Sequence, residues 1–206
     1  MAVNSPGVAQ VIFAGPPQTR VPEEGIFERS FGVAHPREAC VAEATAHRYA
    51  VRCPGDHGKE GYIVPANHFL CDFSYDEDNK LTQSPMTKFG NEQTRSTPRW
   101  YTLWWLAKRQ RGSIDVDMVR DWLSSHFFIA RDGQRVDYIW DSRHGWIPAH
   151  LGGCTVCNHG DNYPDRYFGS TTDSKIAVLN DNVVYWSFGR PCEYNGLPRV
   201  SQIPAK

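Results

Sequence analysis

Two short stretches carry side chains that could act on a carbonyl group. In the first, the apolar run Tyr62-Ile63-Val64 is followed by Asn67 and His68, and both of these side chains can donate hydrogen bonds. In the second, Arg99 follows Pro98 at the start of an aromatic segment. If both elements face one pocket, Asn67 and Arg99 offer two donors to a carbonyl oxygen or a carboxylate. The alternative is a turn-forming Asn67 at a strand end and a solvated Arg99.

Cysteine and histidine residues supply a second kind of chemistry. Cys154, Cys157 and His159 are spaced like part of a zinc site, but a structural site needs four ligands, usually from two such pairs. The other four of the six cysteines stand singly along the sequence, so we expect no bound metal and no other cofactor. A nucleophilic Cys–His pair remains possible, because such pairs are assembled in space and not by sequence proximity.

Length, charge and hydropathy limit the function classes. The 206 residues suffice for one domain, and the net charge of −1 without long runs of one sign argues against nucleic acid as a partner. No apolar run approaches the roughly twenty residues that span a bilayer. The N-terminus lacks the charged and apolar regions of a signal peptide, so we expect a cytoplasmic protein with free thiols.

The elements that must position these residues are predicted from periodicity. Residues 1–30 are rich in proline and predict an extended arm or loop, and residues 31–206 predict one domain. Alternating and 3.6-residue patterns indicate an α+β fold, in which two helices pack on one face of an antiparallel sheet. Trp104 and Trp122 are therefore expected on the same face of that sheet. The expected strands are Glu38–Arg52 (bent near Thr45), Gly61–Pro65, Gly152–Asn158, Ser174–Leu179 and Val183–Phe188, and the expected helices are Arg99–Gln110, capped by Ser96 or Thr97, and Ile114–Phe127, capped by Ser113.

The order of several motifs from Gly32 to Val200 resembles a known superfamily. These are the N-terminal-nucleophile (Ntn) enzymes that cleave linear amides, above all the isopenicillin-N acyltransferase-like branch and the choloylglycine hydrolases. The segments that carry the resemblance are the strand Ala39–Glu43, the Asn motif Pro65–Phe69, the helix start Ser96–Arg99, the segment Thr155–Cys157 and the late motif Gly189–Cys192.

The resemblance implies an αββα sandwich that hydrolyses a small linear amide or transfers its acyl group. In such enzymes an N-terminal cysteine attacks the carbonyl carbon, and its own α-amine acts as the base. An asparagine at the position of Asn67 lines the oxyanion hole, and an arginine at the position of Arg99 lies beside the nucleophile. By the same resemblance, His68, Phe69 and Trp100 are expected to contact the substrate.

The expected nucleophile has no counterpart at the start of this sequence. The chain begins Met1-Ala2-Val3, and its first cysteine is Cys40. We therefore expect a separate segment or a second chain to supply the nucleophilic cysteine, with this chain forming the C-terminal part of the fold. Such a part exposes an apolar sheet face and is expected to form a homo- or hetero-oligomer. The alternatives are a non-catalytic relative that binds a small ligand or a partner chain, and a small zinc or thiol-redox protein.

Overall fold

The computed structural model describes residues 29–35, 38–44, 49–54, 62–65, 70, 96–163, 170–171, 173–181, 183–193 and 199–202. Nearly all of the expected N-terminal arm lies outside these residues. So do Asn67, His68 and Phe69, whose expected roles therefore stay predictions.

The described residues form two α-helices and ten short β-strands. The helices are α1 (Ser96–Arg109) and α2 (Val116–Leu123). The strands are β1 (Arg29–His35), β2 (Glu38–Ala44), β3 (Tyr49–Arg52), β4 (Phe128–Ile129), β5 (Arg135–Val136), β6 (Tyr138–Asp141), β7 (Gly145–Pro148), β8 (Asp173–Val178), β9 (Val183–Phe188) and β10 (Arg199–Gln202).

The strands pair in four small antiparallel sheets. Their orders are β1-β2-β3, β10-β9-β8, β4-β5 and β6-β7, so each strand pairs with a neighbour in the sequence. The α+β class with antiparallel pairing is thereby confirmed. The expectation of a single sheet is wrong for the described residues, because the strands before α1 and after β7 form separate three-stranded sheets and β4 to β7 pair only in hairpins.

The predicted long strand Glu38–Arg52 is divided in two, and its predicted pairing with Gly61–Pro65 is not formed. Glu38–Arg52 is not one strand but two, β2 and β3, which pair with each other in a register that places Val41 opposite Arg52. The expected return strand at Gly61–Pro65 is wrong, since residues 62–65 have no regular structure. They pack against α1 instead: the indole N–H of Trp100 donates to the Val64 carbonyl (3.3 Å), and the Tyr62 hydroxyl donates to the Trp104 carbonyl (3.3 Å).

Predictions for the later strands have mixed outcomes. The alternation that predicted Ser174–Leu179 and Val183–Phe188 is confirmed by β8 and β9, which pair antiparallel. The predicted strand Gly152–Asn158 is wrong, because that segment consists of turns and bends. Its backbone groups bond to the Thr155 hydroxyl, which donates to the Cys157 carbonyl at 2.6 Å, and to Ser125 and Thr171, so they are not available to a sheet.

Both predicted helices exist with shifted boundaries. Helix α1 begins at Ser96, and the chain leaves it through a turn in which Gly112 has a φ of +86°, a left-handed conformation that favours glycine. Helix α2 is shorter than expected, and its N-cap is Asp115 and not Ser113. The Asp115 carboxylate accepts a hydrogen bond from the Met118 amide at 2.8 Å. None of the described helices is long and apolar enough to cross a membrane.

One apolar cluster joins the two helices to β8 and to the loop after β7. Trp104 packs against this cluster and Trp122 belongs to it, so the apolar stripes of both helices meet in one core. Its buried members are Val64, Leu103, Ala107, Val119, Trp122, Leu123, Val156 and Ile176.

The β6–β7 hairpin lies outside this apolar cluster. Its turn is held by the Asp141 carboxylate, which accepts from the amides of Arg143 (2.9 Å) and His144 (3.1 Å). Trp140 and Trp146 face each other across the two strands, with ring centroids 5.8 Å apart and ring planes at 76°. The two indoles are 64% and 70% exposed, so they pack mainly on each other.

Thr102 connects α1 to β4, and its replacement gives a testable prediction. Its buried hydroxyl donates to the Pro98 carbonyl (2.7 Å) and accepts from the Ile129 amide (2.8 Å). Thr102→Val keeps the shape but leaves a buried N–H without its acceptor, so we expect the free energy of unfolding in urea to fall by about 1–3 kcal/mol. Thr102→Ser, which retains the hydroxyl, is the control and should lose less. Equal losses in the two variants would contradict this role of the hydroxyl.

Candidate functional site

Four side chains with nucleophilic or metal-binding atoms meet in the structure. His126 lies between α2 and β4, Cys157 and His159 lie in the loop after β7, and Cys192 lies in a short 3-10 turn after β9. We call these four residues the Cys–His cluster. Their ring nitrogens and sulfurs all lie within 4.8 Å of one another.

The closest contacts in the cluster join sulfur to sulfur and sulfur to imidazole. The Cys157 and Cys192 sulfurs are 3.5 Å apart. The Nε2 atom of His159 lies 3.6 Å from the Cys157 sulfur and 3.2 Å from the Cys192 sulfur. The ring centroids of His126 and His159 are 4.8 Å apart in an edge-on arrangement. All of these side chains are buried or half-buried.

Backbone hydrogen bonds position the loop that carries Cys157 and His159. The Cys157 amide donates to the Ser125 carbonyl (3.2 Å), which fixes Cys157 beside the segment of His126. On the other side, the Thr171 hydroxyl accepts from the Asn158 amide (2.9 Å) and donates to the Val156 carbonyl (3.2 Å). The loop is therefore irregular in conformation but held from both sides.

A sharp turn after β9 brings Cys192 to the same place. Gly189 has a φ of +86°, which allows the chain to reverse direction as β9 ends. Pro191, with its restricted φ, then opens the 3-10 turn Pro191–Glu193. The Gly-x-Pro-Cys sequence thus has a local structural role: it sets Cys192 against Cys157.

Arg190 and two carboxylates border the cluster. The Arg190 guanidinium donates to Glu193 (2.8 Å) and to Asp161, and its Nη1 lies 3.3 Å from Nδ1 of His159. An arginine only donates, so in this arrangement Nδ1 of His159 is the acceptor and its proton is on Nε2, facing the sulfurs. Arg190 and its carboxylate partners also line an open cleft of about 420 Å³, together with Ser170, Thr171 and Gly189.

Burial and the Arg190 charge control protonation in the cluster. Burial, reinforced by the positive charge of Arg190, lowers the pKa of His159 to about 4, so the ring is neutral at pH 7. Burial raises the pKa of the Cys157 thiol to about 12. It also lowers the pKa of His126. The Cys157 thiol and the His159 imidazole are therefore both neutral at neutral pH.

Arg99 and Trp100, the two predicted site residues that the structure describes, lie outside this cluster. Arg99 is half-buried and donates from Nη1 to the Gly153 carbonyl at 3.2 Å, in the loop that leads to Cys157. Burial lowers the pKa of the Arg99 guanidinium, and the nearby Cys154 thiol partly offsets this effect. Trp100 uses its indole N–H to bind the Val64 carbonyl and stacks on Trp104, so it has a packing role in the described structure.

Three of the motifs quoted for the resemblance meet in space. Cys157 of one motif contacts Cys192 of another, and Arg99 of a third reaches the same loop at Gly153. Cys154 does not join the cluster, since its thiol is directed to the Gly152 carbonyl (3.6 Å). Sequence reasoning missed His126 and Cys192 as site residues, because neither is close to Cys157 along the chain.

Comparison with protein-family models finds no match, and comparisons with curated proteins and with solved structures find none either. Two features of the described residues bear on function. One is the Arg99 guanidinium beside the loop of residues 151–159, which suits an anionic or carbonyl group. The other is the Cys–His cluster, whose atoms suit a thiol nucleophile or a metal ion.

Proposed function

We propose that this chain forms part of a cysteine-type enzyme that hydrolyses a small linear amide or transfers its acyl group, on the pattern of the Ntn amide hydrolases. In this proposal the fold is part of an αββα sandwich. The nucleophilic thiol comes from another segment or from a second chain. Asn67 donates to the developing oxyanion, and Arg99 holds a carboxylate of the substrate or orients the groups around the nucleophile.

The environment of Arg99 is the observation that carries the proposal. Its guanidinium is desolvated at the N-terminal end of α1, where the helix dipole already places positive partial charge, and the first turn of α1 contains no acidic residue. Two positive features at one half-buried place complement an anionic group of a substrate. A substrate carboxylate, or an oxygen that gains negative charge during acyl transfer, satisfies this preference.

The neighbours of Arg99 give further support. Its contact with Gly153 connects it to the loop of residues 151–159, and this loop in turn contacts the Gly189–Cys192 motif through Cys157. Three of the segments that carry the resemblance thus converge in the structure. Apolar and aromatic side chains of α1, including Trp100 and Trp104, lie along the same helix and could contact an acyl group.

Substitution of Arg99 tests the proposal. Arg99→Lys keeps the charge but loses the planar pair of donors, so we expect binding of small N-acyl amino acids, measured by calorimetry, to weaken about 10- to 100-fold. Arg109→Lys is the matched control, because Arg109 is exposed on the same helix and lies over the Trp105 ring (4.6 Å); it should bind like the wild type.

Two outcomes decide between the candidate functions. Release of the free amino acid from these amides by the purified protein, lost in Arg99→Lys, supports the enzyme; binding without release supports the non-catalytic relative. Absence of binding by the folded wild-type protein, or equal binding by both arginine variants, would contradict the role of Arg99. Size-exclusion chromatography with light scattering on the same samples tests the proposed association with a second chain or copy.

A further inference from the structure

Interatomic distances in the Cys–His cluster match those of a tetrahedral metal site. With Zn–S bonds of about 2.3 Å and Zn–N bonds of about 2.0–2.1 Å, the ligand atoms of such a site lie about 3.3–3.8 Å apart. The contacts among Cys157, Cys192 and Nε2 of His159 are 3.5, 3.6 and 3.2 Å, so three ligands already form one face of a tetrahedron. His126, within 4.8 Å of the others, needs an inward shift on the order of 1 Å.

His126 provides a separate observation that points to a ligand. Its Nε2 atom is buried and has no hydrogen-bond partner among the described residues. Buried polar atoms in proteins nearly always have a partner, and an orphaned one calls for an explanation. A metal ion bound in the cluster would supply that partner.

We propose that His126, Cys157, His159 and Cys192 bind one zinc ion. Binding replaces the two thiol protons, which are released to solvent, and the two thiolates balance the +2 charge without any redox change. Four protein ligands close the coordination shell, which is the arrangement of structural zinc sites and not of catalytic ones. The inference does not depend on the proposed amide chemistry.

The ion joins three parts of the fold that are far apart in the sequence. His126 follows α2, Cys157 and His159 belong to the loop after β7, and Cys192 follows β9. Zinc thereby fixes the loop of residues 151–159 to both the helices and the β8–β9 sheet. The same loop supplies the carbonyl that Arg99 binds, so the ion also stabilises the surroundings of Arg99.

One contact must change when zinc binds. With the metal on Nε2, the proton of His159 moves to Nδ1, which then faces the Arg190 guanidinium at 3.3 Å as a second donor. Arg190 is held mainly by Glu193 and Asp161, so its distance to Nδ1 can lengthen without the loss of either ion pair. Glu193 or Asp161 is then available to accept the Nδ1 proton, as second-sphere carboxylates do in zinc sites.

The sequence-based expectation of no metal had a specific weakness. It treated Cys154 and Cys157 as the only possible pair, but the fold turns Cys154 away and brings Cys192 to Cys157. Two other chemistries fit the same atoms: a disulfide between Cys157 and Cys192, whose sulfurs are 3.5 Å apart, and a thiol nucleophile at Cys192 beside His159. Neither uses His126, so His126 discriminates zinc binding from both.

Metal binding by the full chain is the test. Protein purified under reducing conditions from zinc-supplied cells should contain about one zinc per chain by elemental analysis. After removal of zinc, titration with Co²⁺ should saturate at the same stoichiometry, with the intense visible bands of a tetrahedral ion and a thiolate charge-transfer band. The wild-type protein should also lose zinc, and its unfolding midpoint should fall, when a chelator is added.

Substitutions distinguish zinc binding from a disulfide and from a thiol nucleophile. His126→Ala and Cys192→Ser should reduce zinc and cobalt to well below one per chain, whereas Cys154→Ser, a change at a buried cysteine outside the cluster, should retain both. Several results would overturn the inference. They are a metal-free wild-type protein that gives no tetrahedral cobalt spectrum, a Cys157–Cys192 disulfide in the reduced preparation, and loss of metal in Cys154→Ser but not in Cys192→Ser. Because the cobalt titration uses the wild-type protein, the test holds even if a variant fails to fold.

Discussion

Glu43→Ala is expected to lower the free energy of unfolding by about 3–5 kcal/mol, because it leaves a buried arginine charge without its partner. The Glu43 carboxylate is fully buried and accepts from Nε (3.1 Å) and Nη2 (2.8 Å) of Arg52, across the β2–β3 pair. Its second oxygen accepts from the Leu70 amide at 2.9 Å. One carboxylate therefore holds both the guanidinium and the segment at Leu70.

Urea unfolding with two further variants checks this prediction. Replacing both partners with apolar residues, Glu43→Leu with Arg52→Met, should cost less than Glu43→Ala alone, since no charge then remains buried. Asp137→Ala, which removes an exposed pair with Arg135 (2.7 Å), is the surface control and should cost no more than about 1 kcal/mol. If Glu43→Ala cost no more than this control, the buried pair would be energetically unimportant.

Trp122→Ala is expected to cost about 3–5 kcal/mol through the cavity that it opens. The indole is 5% exposed at the centre of the apolar cluster between the helices and β8. The neighbouring Leu123 and Val119 are also buried, so the surrounding chain can collapse only partly into the space. Trp122 also precedes the segment of His126, and loosening of the helix end should weaken metal binding by the cluster.

An exposed tryptophan provides the control for Trp122. Trp146→Ala removes a side chain of the same size that packs mainly on Trp140, and such an aromatic pair contributes about 0.5–1.5 kcal/mol. Chemical unfolding followed by far-UV circular dichroism should therefore separate the two variants clearly. Similar losses in both would show that the cluster around Trp122 is not the main core of the described residues.

Elements with strong local periodicity were predictable from the sequence, and those defined by long-range contacts were not. In Val183–Phe188, and at Leu103 and Ala107, buried residues recur with the period of a strand or of a helix. This periodicity is visible in the sequence, so β9 and α1 were predicted. The segment Gly152–Asn158 is apolar and buried as well, but its conformation follows from bonds made by Thr155 and Thr171. Such hydrogen bonds leave no periodic pattern in the sequence.

The residues of the candidate site also divide into those that the local sequence predicts and those that only long-range contacts bring together. Arg99 could be selected because a cation at the start of an apolar helix is locally unusual. Cys192 lies 35 positions after Cys157, and His126 lies in a connection between elements, so only the fold shows that they meet. Ligands that come from three segments leave no spacing pattern, whereas the Cys-x-x-Cys pattern that the sequence does contain points to Cys154, outside the cluster.

The paired indoles of the β6–β7 hairpin give this protein an optical label of its own. Trp140 and Trp146 are 5.8 Å apart and nearly perpendicular, a geometry in which the electronic transitions of two indoles couple and produce a split circular dichroism signal in the ultraviolet. The contribution of this pair requires the two strands to stay paired, and it adds to that of Trp100 and Trp104 on α1, whose centroids are 6.3 Å apart. The fluorescence of buried Trp122, by contrast, follows the apolar cluster. Because the chain contains seven tryptophans, the difference between the spectra of the wild-type protein and of Trp146→Ala isolates the hairpin, without an added dye.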